Sequence, residues 1–143
     1  MSDLAQALPG EFIRITTDQW TEPFWQAAKE RWLTAAQCGA CGHFRMPPSP
    51  FCPECLSQKL KWPRLSGRGE LFSYCVCTRS PFPGKAADML YIPAIVELPD
   101  AGRVRLVANL VDVAPEDVSI GMVLQVLFHD IAEDWKIPIF APA

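Results

Sequence analysis

The sequence predicts a mainly β protein with an N-terminal helix, a four-cysteine zinc ribbon and a C-terminal five-stranded β-barrel. Three observations lead to this fold class. Aromatic residues recur every four positions near the N-terminus, two C-x-x-C pairs stand ten residues apart, and hydrophobic residues alternate with polar ones in the second half. Helices repeat every 3.6 residues and strands every two, so each period indicates its own type of element.

Length and charge set the limits. The chain has 143 residues, half of them hydrophobic, and a net charge of −3 at pH 7, which suits one compact domain with a small appendage. It has neither a run of about 18 apolar residues nor the basic and apolar regions of a signal peptide. We therefore expect a cytoplasmic protein that does not enter membranes and whose thiols stay reduced.

The acidic balance argues against a nucleic-acid partner, because phosphate contacts require a basic excess. The densest basic stretch runs from Lys59 to Arg68 and holds four cations. Such a short stretch is more typical of a solvated connector than of a phosphate-binding surface.

The first predicted unit spans residues 1–31 and contains a loosely held arm, residues 1–16, followed by a short amphipathic helix. Thr21 is placed to cap the helix, and Pro23 stands near its start, where a missing N–H group costs nothing. The aromatic face consists of Trp20, Phe24, Trp25 and Trp32. These rings either pin the helix to its own domain or form an interface with a partner protein.

Residues 32–62 form the second unit, a rubredoxin-like ribbon whose proposed metal ligands are Cys38, Cys41, Cys52 and Cys55. A C-x-x-C turn places two sulfurs on one side of a loop, and two facing turns make a tetrahedron around zinc with Zn–S distances of about 2.3 Å. The proline-rich segment between them cannot be regular helix or strand, so the ion has to hold it. A closed Cys₄ site is structural rather than catalytic.

Two other uses of these thiols remain open. Iron would fit the same cage of sulfurs. A redox dithiol is less favoured, because that motif occurs singly and within a βαβ unit.

The third unit, residues 63–143, is predicted to be an oligonucleotide/oligosaccharide-binding (OB) barrel. Period-two alternation marks four strand segments, and a fifth short strand closes the chain: "ELFSYCVCTRS", "YIPAIVEL", "VRLVANLVDV", "VLQVLFHDI" and "KIPIFAPA". Five strands are too few for a sandwich, whereas a small closed barrel removes their edges.

Cys75 and Cys77 stand at positions i and i+2 of the first of these strands. Buried free cysteines are common in protein cores, so we expect inert packing there. A reactive role, in a stand-alone redox or acyl-CoA-binding protein, is the less favoured alternative.

The residues give little sign of catalysis. His43 follows the first C-x-x-C pair, and we expect it to face solvent or to hydrogen-bond a cysteine sulfur. His129 and its neighbour Asp130 point to opposite faces of a strand and so do not form a dyad. No G-x-S-x-G, P-loop, dinucleotide-binding or H-E-x-x-H motif occurs. The chain is therefore not predicted to be an enzyme by itself.

One loop could bind a ligand. Residues 78–90 include Arg79, Phe82 and Lys85, which offer two cations and an aromatic ring to an anionic, partly planar molecule. A plain connecting loop is the favoured alternative.

The order of these parts resembles the acyl-CoA-associated zinc-ribbon/OB-fold family once called domain of unknown function 35. The resemblance covers roughly residues 20–142 and lies in the aromatic helix, the ribbon and three later segments: "GRGELFSYCVCTRSPFPG", "YIPAIVELPDAGRVRLVANLVD" and "IGMVLQVLFHD". It implies an accessory subunit of a thiolase-superfamily enzyme, whose catalytic residues belong to the partner.

The same resemblance implies the reaction and the contacts. The complex would carry out retro-aldol cleavage in steroid side-chain catabolism or C-acyl transfer. The aromatic helix and the OB face would contact the partner. Arg79, Phe82 and Lys85 would lie nearest a shared acyl-CoA. A single-stranded nucleic-acid-binding OB module, with aromatic residues stacking on bases, is the alternative that the sequence leaves open.

Overall fold

The computed structural model describes residues 3–82 and 88–143, and within them one α-helix and eight β-strands. The helix and strands are α1 Glu22–Lys29, β1 Gln37–Cys38, β2 Leu60–Lys61, β3 Arg68–Tyr74, β4 Cys77–Arg79, β5 Asp88–Leu98, β6 Val104–Leu110, β7 Val123–Asp130 and β8 Lys136–Pro142. Short 3₁₀ turns cover Gly10–Phe12, Pro99–Ala101, Pro115–Asp117 and Ala132–Asp134.

Five strands close into a barrel in the order β3-β7-β8-β6-β5, and a further pairing of β3 with β5 completes the ring. Most pairs are antiparallel, but β6 and β8 run parallel and meet at Leu110 and Phe140. The short strand β4 extends the sheet alongside the first residues of β5. The predicted five-stranded OB-type barrel is therefore confirmed, since closure leaves none of its five strands with a free long edge.

The core of the barrel comes from alternate residues of the strands. In β5, the residues Ile92, Ala94, Val96 and Leu98 are all buried. Phe140 of β8 is the largest fully buried side chain at the centre. Gly69 of β3 is required here, because a Cβ atom at that position would clash with the Val96 side chain.

The first long segment of the barrel is broken, although its alternation predicted one strand. A β-bulge lies between Leu71 and Ser73, and the chain leaves the sheet at Cys75 and Val76 before β4 begins. Bulges bend a strand, and the bend lets β3 pair with both β5 and β7. Gly69 and Leu71 are buried before the bulge and Phe72 is exposed, and after the bulge Tyr74 packs against the core.

The N-terminal arm is not loosely held, so that expectation was wrong. Ala5 is buried, and its N–H donates to the Val113 carbonyl at 2.8 Å. The N–H of Gln6 donates to the Leu90 carbonyl at 3.0 Å. Since β6 pairs with β5 only from Ile92 onward, the arm satisfies a backbone acceptor of β5 that β6 does not reach.

Helix α1 begins after Thr21 as expected, but Thr21 does not cap it through its side chain. Instead, Asp18 Oδ1 accepts hydrogen bonds from the N–H groups of Trp20 and Thr21 at 2.9 and 2.8 Å. The Thr21 N–H is the main cause that holds the pKa of the Asp18 carboxyl below its usual value.

The aromatic face of α1 is partly used by the chain itself. Phe24 is buried as part of the main hydrophobic core and meets Trp25 edge-on, with ring centroids 5.0 Å apart. Trp32 donates through Nε1 to Glu30 at 3.2 Å and lies under the Arg64 guanidinium. Phe24 therefore pins the helix to its own domain, whereas Trp20, Trp25 and Trp32 each remain half-buried.

Candidate metal centre and apolar groove

The four predicted ligand sulfurs lie together, all within 4.8 Å of one another. The Sγ atoms of Cys38 and Cys55 are 3.6 Å apart, and so are those of Cys41 and Cys52. Four thiolates at about 2.3 Å from a tetrahedral zinc ion would be separated by about 3.8 Å. The cage therefore fits a tetrahedral metal ion with no position left open.

Both C-x-x-C turns end in the same backbone conformation. Gly42 and Leu56, the residues after each turn, have φ angles of 84° and 65°. Their N–H groups donate to the carbonyls of Cys38 and Cys52 at 3.1 and 2.9 Å. The sequence indicates this left-handed conformation only for the residue after the first turn, because glycine takes a positive φ freely and leucine does not.

Backbone N–H groups stabilise a thiolate in the cage. Those of Cys41 and Ala40 donate to Cys38 Sγ at 3.4 and 3.3 Å, and they lower the pKa of Cys38 to about 6. At Cys41 the His43 backbone N–H also lowers the pKa of the thiol. Desolvation and the neighbouring sulfurs outweigh this hydrogen bond and raise the pKa of Cys41 to about 12. His43 thus contributes its backbone, and its side chain is exposed to solvent.

An apolar groove of about 360 Å³ lies where the helix, the ribbon and the barrel meet. Its walls come from α1, from the loop at Met46–Pro48 and from the outer faces of β5, β6 and β8, and include Phe24, Trp25, Pro47, Pro93, Val107 and Pro138. Proline side chains keep their shape, so the groove is pre-formed rather than induced.

The apolar surface continues beyond this groove. A neighbouring depression of about 300 Å³ shares Pro93 and Val107 with it and reaches Tyr74 and Cys75. Val107 is 84 % exposed, the most exposed large hydrophobic residue in the part of the chain described. Helix α1 and the outer surface of the barrel therefore border one continuous apolar surface.

Cys75 and Cys77 do not pack in the core, so that prediction was wrong. Cys75 is exposed and Cys77 half-buried, because they flank the break between β3 and β4. Desolvation, followed by the contact with Cys77, raises the pKa of Cys75. Cys77 also raises the pKa of Tyr91, its partner across the strand pair, through a hydrogen bond. A raised pKa disfavours the thiolate, so the geometry does not favour a reactive role for Cys75.

The predicted ligand loop is only partly described. Arg79 is exposed at the end of β4 and stands opposite Asp88 in the strand register. The ring of Phe82 lies 5.3 Å from that of Phe12 in the arm. Lys85 lies outside the described residues. The proposed ligand-binding role of the loop therefore stays a prediction.

His129 and Asp130 each contact another residue. His129 Nε2 donates to the Leu8 carbonyl in the arm at 2.7 Å. Asp130 forms an ion pair with Lys136, with Oδ1 and Nζ 3.0 Å apart. His129 thus fastens the arm to β7.

One buried residue of the ribbon was missed by sequence reasoning. Arg45 is only 6 % exposed, and the sequence marks it by nothing more than a lone charge beside a proline-rich run.

In the part of the chain described, no helix is long and apolar enough to cross a membrane.

Profiles of known domain families match most of the chain. Residues 25–61 match "ChsH2, rubredoxin-like zinc ribbon domain" and residues 62–129 match "ChsH2, C-terminal OB-fold domain".

Two relatives represent the sequence matches. The chain is 39% identical over 121 residues to "Probable enoyl-CoA hydratase alpha subunit" of Thermomonospora curvata; this covers 84% of the chain but only 37% of that relative. It is 35% identical over 124 residues to "DUF35 domain-containing scaffold protein" of Methanocaldococcus jannaschii, covering 84% of each. The chain thus spans a little over a third of the hydratase subunit and most of the scaffold protein.

A solved structure resembles the whole fold. The chain titled "Ltp2-ChsH2(DUF35) aldolase" superposes with a TM-score of 0.80 at 34% identity, and the match covers 90% of this chain and 98% of that one.

Proposed function

This chain belongs to the DUF35 scaffold family, in which a rubredoxin-like zinc ribbon joins an OB-fold domain, and we propose that it is the non-catalytic subunit of an acyl-CoA enzyme complex. The proposed partner is a thiolase-like enzyme. The proposed reaction is retro-aldol cleavage of a steroid side-chain acyl-CoA, with C-acyl transfer as the second choice. The proposed location is the cytoplasm, where thiols stay reduced.

One observation carries this proposal: the likeness to the chain of a DUF35-containing aldolase over 98% of that chain's length. It favours cleavage over acyl transfer. Hydration is less favoured, because the chain spans only 37% of the relative named as a hydratase subunit.

The proposed ion is zinc, and its role is to hold the ribbon. With four sulfur ligands the ion has no free position for a substrate, so it cross-links the two C-x-x-C turns and supplies no chemistry. Iron would bind the same sulfurs.

The partner is proposed to dock on the apolar groove and on the exposed face around Val107. Contiguous exposed apolar surface is typical of protein interfaces, and buried aromatic anchors carry much of the binding energy. Trp25 lines the groove and is half-buried, so it can serve as such an anchor.

A polar rim flanks this surface. Arg103 pairs with Glu70 at 2.6 Å and with Glu97 at 3.4 Å, and Arg105 pairs with Glu97 at 3.3 Å. Arg105 also covers the ring of Phe72, with its guanidinium carbon 3.7 Å from the ring centroid. An apolar centre with a charged rim is the usual anatomy of a protein interface. Because Arg105 covers its ring, Phe72 is less able to stack on nucleic-acid bases. This contact disfavours the alternative function, single-stranded nucleic-acid binding.

The shared ligand is proposed to be an acyl-CoA bound where the two subunits meet. Arg79, Phe82 and Lys85 remain the proposed loop beside it. The acyl group itself would react in the partner.

Co-expression tests the proposal. The chain is produced with a thiolase-like protein of the same organism, and the complex is sized by light scattering and assayed with a β-hydroxyacyl-CoA bearing a steroid side chain. We expect a stable hetero-oligomer that cleaves the substrate and no turnover by this chain alone. Turnover by the isolated chain, or no association with the partner, would contradict the proposal.

A further inference from the structure

Among the residues that the structure describes, Arg45 is a buried cation with no carboxylate paired to it. It is 6 % exposed, and its Nη1 and Nη2 atoms are buried and have no hydrogen-bond partner among the described residues. Only Nε is bonded, donating to the Ser49 carbonyl at 3.0 Å. Buried charges are costly unless an opposite charge compensates them, so this guanidinium requires an explanation.

The backbone places Arg45 on the face of the first C-x-x-C hairpin that carries a metal ligand. The Cys38 N–H donates to the His43 carbonyl at 2.7 Å, and the Arg45 N–H donates to the Ala36 carbonyl at 2.9 Å. Alternate residues of paired strands share a face, so Arg45 leaves the hairpin on the same side as Cys38.

The bond to Ser49 directs the side chain toward the second turn. Ser49 precedes Cys52 by three residues. The side chain thus links the segment after the first C-x-x-C turn to the loop that leads into the second. Because its terminal nitrogens are covered by the chain itself, a partner's carboxylate could not reach them without a rearrangement of the ribbon.

We infer that Arg45 is the buried counter-charge of the metal centre. A divalent ion with four thiolates carries a net charge of −2, and two of the four sulfurs belong to the fully buried Cys38 and Cys52. In a low-dielectric interior a cation near this dianion stabilises it without a direct bond to sulfur. Arg45 therefore favours the metal-loaded ribbon over the metal-free one. This inference concerns metal binding alone and does not depend on the proposed function.

Zinc competition on the full chain tests the inference. Arg45→Gln removes the charge, Arg45→Lys keeps it, and each variant is titrated against a chromogenic chelator at neutral pH. We expect Arg45→Gln to weaken zinc binding by roughly tenfold or more. Arg45→Lys should stay much closer to the parent. The loss should persist at about 1 M salt, since buried charges are little screened.

Arg64→Gln is the matched control, because Arg64 is exposed; it should bind zinc as the parent does. If Arg45→Gln does not fold, as judged by circular dichroism, Arg45→Met replaces it in the comparison with Arg45→Lys. Unchanged zinc affinity in the folded uncharged variant would overturn the inference. So would an equal loss in Arg45→Lys, which would indicate packing rather than charge.

Discussion

Gly42 and Leu56 occupy equivalent positions in the two metal-binding turns, with φ angles of 84° and 65° and matching N–H bonds to the first cysteine of each turn. A left-handed backbone costs a residue other than glycine on the order of 1 kcal/mol. Leu56 is 72 % exposed, so its side chain offsets little of that cost by packing.

Leu56→Gly should therefore stabilise the zinc-loaded chain by about 0.5–1 kcal/mol. The measurement is chemical denaturation in the presence of zinc. Gly42→Ala is the reciprocal variant and should destabilise by about 1 kcal/mol. A loss of stability in Leu56→Gly would mean that the leucine side chain makes a contribution larger than its exposure suggests.

The two groups of cysteines should respond differently to substitution. Cys38→Ser removes a fully buried ligand, so the variant should lose stoichiometric zinc and the stability that the ion gives the ribbon. Cys75→Ser, at an exposed position outside the cage, should keep one zinc per chain. Metal content by mass spectrometry and circular dichroism check both. Zinc loss in Cys75→Ser would contradict the assignment of the four ligands.

Zinc binding at pH 7 should release three protons or fewer per ion instead of four. The pKa of Cys38 is lowered to about 6 in the fold, so that sulfur is already a thiolate before metal arrives. Calorimetry in buffers of different ionisation enthalpy counts the protons. Release of four would show that Cys38 is protonated in the metal-free chain.

The same shift gives a pH dependence of stability in the metal-free chain. The pKa of Cys38 in the folded chain lies below the ordinary 9.0. The Cys38 thiolate therefore makes its full contribution to the free energy of unfolding above about pH 9. That contribution is lost as the pH falls from about 9 through about 6.

Val107→Glu should weaken binding of the thiolase-like partner by tenfold or more while leaving the fold intact. Val107 is exposed in the free chain, so the change should alter its stability by no more than about 0.5 kcal/mol. In the proposed interface, however, it would bury a charge among apolar residues. The partner's affinity is measured by surface plasmon resonance.

Val123→Glu is the control for this experiment, since Val123 is an exposed strand valine that does not line the groove. Equal binding by the Val107→Glu variant and the parent would place the interface elsewhere on the chain.

The cysteine spacing and the hydrophobic periods determined the local elements of this protein. Two C-x-x-C turns predicted the sulfur cage without reference to the rest of the chain, because each turn fixes its own sulfurs within four residues. Period-two alternation predicted the barrel strands.

The tertiary structure alone decided which faces are covered. The break at Cys75 and Val76 follows from barrel closure, where β3 pairs with both β5 and β7. The arm is held because β5 extends beyond β6 and leaves the Leu90 carbonyl for Gln6. The groove at Trp25 arises where segments distant in sequence meet. Local patterns specify an element and its two faces, whereas contacts between distant segments determine which face meets protein and which meets solvent.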